Sequence, residues 1–537
     1  MSRLPARLFS SGVLSLILAV LSCPSAVSQT PATQGQWQAS AEAWQARATG
    51  TTDASGQTVV STYVSSGNQL LVTDEMGRAF FPGAPQASSR DSTGLNTPRS
   101  MQAGLSPVTI QVPADQPTIQ AAINAANDGD TVLVSNGIYL ENINFNGKAI
   151  TVTSVNGSGV TTIDGGKAAT VVLFVSHETA GSVLNGFTIT NGFAGFQSPN
   201  FGEGGGIAVE NSSPTITNNL ITNNGACNGA GIGIAFAGPL IQANTISSNF
   251  QSGCTGGIGG GGISIRGQSN STRLIGNVIT NNSMTGSGVG GGGIALFAAG
   301  APLIQDNIFT GNNGGIQGGG IAIVNDASPK IVDNLFIHNT ASSGGGLWWL
   351  IPMSTPGIRL LNNTIADNVA TQGSGIFADG FDSNAVFQNN LITGNSGVIP
   401  AFCGNFNNTV PPHFVANDVF DPGAAPYGGI CTDQTGNNGN ISADPVFVDP
   451  SVDDYHLQST SPAIAAGNIN TPIPLPDTDL DGNPRVVNGT VDVGAFEFQG
   501  TTTTGSTSPS LSLPLSPPVM GCRKNGSRVV QCRQAAI

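Results

Sequence analysis

Charge is scarce in this chain: charged residues make up 9% of its 537 residues, against 39% hydrophobic residues. That balance excludes wholesale disorder, which needs high charge and low hydrophobicity. Basic residues are the rarer sign, 17 Lys and Arg against 31 Asp and Glu, for a net charge of −14. So acidic a chain argues against nucleic acid or an anionic membrane surface as partner, and a polyanion would need a local basic patch working against that field. Beyond the first 28 residues no run approaches the roughly 18 apolar residues of a membrane helix. Aromatics are only 6%, while Gly numbers 74, too many for ordinary helical packing.

The amino terminus carries an export signal. Arg3 and Arg7 precede the apolar run Val13 to Leu21, and Ala26-Val27-Ser28 is a small-x-small cleavage site before Gln29. Val20-Leu21-Ser22-Cys23 is also a loose lipoprotein-type box, leaving lipidation of Cys23 as an alternative. The mature protein is expected outside the cell or on its surface, as a monomer. Six cysteines remain after cleavage, an even number suited to three disulfides in an exported chain. The natural pairs are Cys227–Cys254, Cys403–Cys431 and Cys522–Cys532, and none has zinc-ligand spacing.

Residues 29–106, rich in Ser, Thr, Ala and Gln, read as a flexible lead-in with short extended stretches at 59–64, 69–72 and 78–81. Order begins at Val108. Between Gln116 and Ala126, residues Ile119, Ala122, Ile123 and Ala126 share one helical face, as expected of a short helix covering the open end of stacked strands. A repeat of about 25 to 33 residues then takes over. Asn stands at the same point in seven copies, from Asn219 to Asn390, and again five residues later, from Asn224 to Asn395. An apolar column, Ile221 to Ile392, runs between them, and a Gly-rich strand start such as Gly204-Gly205-Gly206-Ile207 precedes each copy. Ile-x-Ile strands alternate at period two, and Asn both tolerates the left-handed corner and can hydrogen-bond to the Asn one level above. Three short strands per period make one coil of a parallel β-helix.

Residues Gln116 to Gly166, with the run AANDGDTVLVSNGIY from Ala125 to Tyr139, resemble the first coils of the pectate-lyase-like superfamily of right-handed parallel β-helices. Asn185 to Gly192 (NGFTITNG) and the Asn repeats are similar to other bacterial members. The resemblance implies an all-β fold and supplies its handedness over 107–400; residues 401–443 break the period and are expected to cap the far end. Asp444 to Glu497 resembles the choice-of-anchor Q domain of exported β-helix proteins, although Ala465 stands where that domain has Asp. Residues 500–537 read as a Thr/Ser/Pro linker and a Cys-closed tail.

On such a scaffold, chemistry is sought in columns, because equivalent positions of neighbouring coils lie about 4.8 Å apart. Asp306 and Asp333 each precede a first-column Asn on adjacent coils; they form either a solvated turn column, a Ca²⁺ site or an acid–base pair. His338 and Asp367 likewise precede second-column Asn residues and could orient a general base, with no Ser or Cys nucleophile beside them. Trp348 and Phe377 occupy outward positions where other coils carry Ala, as a sugar-stacking platform would require unless a loop covers them. Asp477, Asp479 and Asp481 resemble an oxygen-rich Ca²⁺ loop, but Asn488 replaces the closing Glu of an EF-hand.

Two functions remain open. One is an exported protein that binds polysaccharide or another surface glycan along one face. The other is a carbohydrate-active enzyme, a lyase or glycoside hydrolase. The lyase chemistry of the superfamily needs a Lys or Arg base beside metal-binding acids, and Lys330, Arg266, Arg273 and Arg359 form no such cluster in the sequence.

Overall fold

The computed structural model describes the backbone at 47–52, 58–66, 69–73 and 79–80, and backbone with side chains from 106 to 500, apart from seven internal gaps. The gaps are 196–202, 253–258, 285–289, 326, 352–356, 381–383 and 406–409. The export signal, Cys23, Cys254, Cys522, Cys532 and the linker lie outside the described residues. The chain divides into two units, one up to Val108 and one from Thr109. In the first, Arg47–Thr52, Thr58–Ser66, Gln69–Thr73 and Ala79–Phe80 form an antiparallel meander.

The second unit is built of stacked coils. Each coil contributes one short strand to each of three parallel sheets, of twelve, eleven and eleven strands. The first sheet runs from Thr109–Val112 to His413–Val415, the second from Gly137–Leu140 to Asp418–Phe420, and the third from Ile143–Asn144 to Tyr427–Gly429. Every neighbouring pair is in register, so Ile216, Ile241 and Leu274 stack inward on the first sheet and Ile221, Ile246 and Ile279 on the second. These residues belong to one continuous buried core. Phe309 and Phe336 stack within it, centroids 4.5 Å apart, and Trp349 is fully buried against Phe387. The helix Ile119–Ala125 adds Ile119, Ala122 and Ile123 to the same core. The Glu141 carboxylate accepts from the Ile119 and Gln120 N–H groups at its start, and Lys148 Nζ donates to carbonyls at its end.

Both Asn columns are hydrogen-bonded ladders. In the first, each Nδ2 donates to the Oδ1 of the next coil's Asn at 2.9–3.1 Å. The second repeats the bond from Asn224 to Asn395. The left-handed residue at each corner is not the ladder Asn but the one before it: Asn218, Ala243, Asp306, Asp333, Asn362 and Asn389 all have φ between 50° and 57°. The ladder side chains are thereby turned inward, where their amides satisfy backbone groups that no strand partner reaches.

Residues 401–443, expected to depart from the repeat as a cap, continue it instead. Ala401–Cys403, His413–Val415, Asp418–Phe420 and Tyr427–Gly429 extend the three sheets, and the first ladder runs on through Asn417 to Asn440. Successive first-column Asn are 27 and then 23 residues apart there, and what stops is the second Asn column, after Asn395, rather than the coil. Cys403 and Cys431 are disulfide-bonded there, Cα atoms 5.3 Å apart. Cys227 is disulfide-bonded too.

Candidate functional site

The outer face of the second sheet changes character along the axis. In early coils its outward residues are half-buried, as at Leu220, Thr222, Thr245 and Ser247. From Ile308 onward they are buried and mostly apolar: Ile308, Leu335, Ile337, Ala366 and Leu391. Residues 444–499 fold back onto this strip. Tyr455, Ala495 and Phe496 pack on Ile308, Leu335, Ile337 and Ala366, while Leu457, Ala463 and Val493 pack on Leu391.

Three of the four residues singled out as catalytic candidates, Asp333, His338 and Asp367, touch that module, and Asp306 feels the charges of its Arg485 and Asp479. Tyr455 Oη donates to Asp367 Oδ2 at 2.6 Å, and His338 Nε2 lies 2.7 Å from Asp453 Oδ1. Asp333 is fully buried with Arg485, whose Nη2 approaches Asp333 Oδ1 at 3.3 Å. The approach lacks hydrogen-bond geometry, so neither oxygen of Asp333 has a donor. Burial pushes the Asp333 carboxyl well above the usual carboxylate range, against the pull of Arg485. Asp306 accepts from Gln305 Nε2 at 2.9 Å and is pushed up to about 6, chiefly by burial. His338 and Asp367 do not meet; each turns to a different partner in the module. Of the four, only Asp333 is closed off from solvent; His338 stays exposed, and Asp306 and Asp367 are half-buried. The sequence signal for this contact is partial: outward Ile308, Leu335, Ile337, Ala366 and Leu391 follow Thr and Ser, but Leu220 and Val278 come earlier and Thr310, Thr364 and Thr393 interrupt the run.

The Asp477, Asp479 and Asp481 loop does not fit a cation. Asp479 spends Oδ1 on the N–H groups of Asp481 and Asn483 and Oδ2 on that of Glu497. Asp481 Oδ2 lies 2.5 Å from His456 Nε2, and Asp454 Oδ1 lies 2.6 Å from His456 Nδ1. Held between two carboxylates, His456 is pushed up to about 9, the hydrogen bond to Asp481 being the largest cause. Among the described residues no three His, Cys, Asp or Glu side chains are grouped as metal ligands.

On the third sheet Trp348 and Phe377 are register neighbours, as their spacing requires, and Phe377 stacks on Phe402 with centroids 5.0 Å apart. They are not an open platform, however: Trp348 is only 5% exposed. The Gly-rich arm of each coil folds back over this column. At Gly344, with φ of 67°, an added Cβ would lie 2.6 Å from the Trp348 Cβ. The arms also explain why Ala208, Ala295 and Ala322 are small and buried.

The first sheet is left. Among the basic side chains of the coils, Lys148 holds the helix end and Arg266 lies 2.7 Å from Glu203. Arg273, Lys330 and Arg359 fall in a single outward column, in register through Leu303. His413 continues it beyond Val386. Arg273 and Lys330 are exposed; Arg359 is half-buried, its Nη1 donating to the carbonyls of Gly357, Ile358 and Asn384. Outward positions beside them are uncharged: Ile275, Gln305, Val332 and Leu361. The carboxylates at the adjoining corner, Asp306 and Asp333, are drawn into the module contact. The structure thus assembles a local cationic stripe on an acidic protein, from residues that lie 57 and 29 positions apart in the sequence and meet only through the register.

Three parallel sheets stacked coil on coil around one core define a parallel β-helix. The family model described as right handed beta helix region matches residues 136–336 and 252–412, together just over half of the chain, and the chain belongs to that right-handed family. No curated protein matches it.

Proposed function

We propose that this is an exported β-helix protein that binds acidic polysaccharide along the outer face of its first sheet. The observation that carries the reading is the column of Arg273, Lys330 and Arg359. Lys330 and Arg359 stand on adjacent coils, about 4.8 Å apart, and Arg273 lies two coils, about 10 Å, from Lys330. Cations at fixed rungs suit a linear polymer with repeated carboxylates, which can follow the coil axis. The other faces favour this choice, since the folded-back module covers part of the second sheet and the Gly-rich arms cover the third. Export follows from the signal-like residues 1–28 and agrees with the Cys403–Cys431 disulfide.

Affinity electrophoresis of the full exported chain in gels cast with polyuronate or neutral glucan tests the reading. Retardation by polyuronate should fall steeply between about 0.05 and 0.5 M salt, as screening demands. Arg273→Gln with Lys330→Gln should weaken it at least about tenfold. Equal retardation by the neutral glucan, or no effect of the double substitution, would overturn the charge-based reading. Release of new reducing or unsaturated ends would establish an enzyme.

A further inference from the structure

Where the solenoid passes into the folded-back module, the backbone breaks a local rule. Among the described non-glycine residues with left-handed backbone, Val446 alone is β-branched, with φ of 50°. A β-branched residue is an outlier there, at about 1–3 kcal/mol of strain, and such strain gathers at functional sites. Both of its backbone groups are held. The Val446 N–H donates to Asp444 Oδ1 at 2.9 Å, and its carbonyl accepts from the Gln458 N–H at 3.0 Å. The first of these bonds closes a turn over the peptide between Asp444 and Pro445. Asp444 is exposed to water, while Pro445 is buried and fixed in place.

An acid stands next to that peptide. Asp418, outward on the last rung of the second sheet, accepts from the Ala443 N–H through Oδ1 at 3.1 Å, one residue before Asp444. It is 1% exposed, and its Oδ2 is buried with no hydrogen-bond partner. Burial pushes its carboxyl up to about 7, and the charge of Asp444 adds to the rise. Tyr427 is the other titratable group that feels Asp418. A carboxyl that still carries its proton near neutral pH is a competent general acid.

Two further Asp–Pro peptides share the turn but not these surroundings. Asp421 Oδ1 accepts from the Gly423 N–H at 3.0 Å, and Asp449 Oδ1 from the Ser451 N–H at 3.1 Å. Neither Gly423 nor Ser451 is left-handed, and no buried carboxyl is bonded to the residue before either Asp among the described residues.

We infer that the Asp444–Pro445 peptide is a site of self-cleavage. An Asp444 carboxylate oxygen attacks the Asp444 carbonyl carbon. The carbon–nitrogen bond to Pro445 breaks as that nitrogen takes a proton from Asp418, directly or through one water. The cyclic anhydride left on Asp444 adds one water, which yields two carboxyl groups and returns the proton to Asp418. Cutting frees Pro445 to move and so releases the strain at Val446. The module stays docked afterwards through Arg485 on Asp333 and Tyr455 on Asp367. The solenoid and the segment beyond it are then joined by packing alone.

The test keeps the purified full chain near neutral pH and samples it by denaturing electrophoresis and intact mass. Two fragments should accumulate, one ending at Asp444 and one beginning at Pro445, together one water heavier than the intact chain. They should elute together in gel filtration until urea is added, and urea present from the start should prevent the cut. Asp444→Asn keeps the turn but removes the nucleophile, and should abolish cleavage. Val446→Gly should slow it about fivefold. Asp418→Asn keeps an acceptor for the Ala443 N–H and loses the acid proton. It should slow cleavage at least about tenfold and remove the fall in rate above about pH 7. Absence of fragments, equal cutting at Asp421–Pro422 or Asp449–Pro450, or cutting that persists in Asp444→Asn would each overturn the site. A rate and pH profile unchanged in Asp418→Asn would overturn the proton transfer.

Discussion

Arg485 reaches Asp333 from the far end of the chain, and both side chains are fully buried where they meet, 3.3 Å apart. Removing one partner of such a pair strands a charge, whereas replacing both can be nearly neutral. Arg485→Ala should cost about 3–5 kcal/mol in urea unfolding. Asp333→Asn combined with Arg485→Met should recover most of that loss. A loss below about 1 kcal/mol for Arg485→Ala would mean the pair does not fasten the module.

The ladder is the second place where a single change should be costly. Asn334 accepts from the backbone N–H and Nδ2 of Asn307 and donates to the Ile304 and Val332 carbonyls and to Asn363 Oδ1. Asn334→Ala leaves several buried groups unpaired at about 1–3 kcal/mol each. We expect at least about 3 kcal/mol lost, with amide exchange accelerated on the neighbouring coils. Exchange unchanged around Asn307 and Asn363 would contradict this.

Trp348 should matter for stability and not for ligand. Nearly buried against Ala322 and Val324, it would leave a cavity on truncation, at about 3–5 kcal/mol for Trp348→Ala. Polyuronate retardation of the folded variant should be unchanged. A selective loss of binding would restore the aromatic platform.

Acidity should stabilise the docked module. Burial pushes Glu497 up to about 8 and Asp306 up to about 6, and flanking carboxylates hold His456 at about 9. Each folded-state value lies above the ordinary one, so each contribution is fully present below the unfolded pKa and lost as pH rises through the folded value. For the two acids that loss spans roughly pH 4 to 8, and for His456 roughly pH 6.5 to 9. The thermal midpoint should fall steadily from pH 5 to 9, less steeply in Glu497→Gln. A midpoint rising across that range would refute the assignment.

Much of the fold was legible because a solenoid writes its geometry as periodicity. The two Asn columns and the apolar column between them gave coil length, register and core without any long-range information. The same habit misled the search for chemistry. Asp306, Asp333, His338 and Asp367 stood out as exceptions among equivalent coils, yet their partners Arg485, Asp453 and Tyr455 lie in a segment with no repeat to align. Comparing coils only with one another cannot show a module folded back on them. The sequence leaves Trp348 open between a platform and a covered position for a related reason, since the arm that covers it is mostly glycine and leaves no side-chain signature. Arg273, Lys330 and Arg359 were visible singly but joined into a stripe only once the register through Leu303 was fixed.

Identical rungs also mean that the interior carries no address. Each ladder amide meets the same neighbours above and below, so one coil could be duplicated or lost with the stack still closing. The folded-back module removes that freedom over part of the length. It grips successive corners, at Asp333 through Arg485, at Asn362 through the Asp492 carbonyl and at Asn389 through Asn468. It therefore serves as a gauge: coils before Asp306 are free to vary in number, while those from Asp306 to Asn389 are counted.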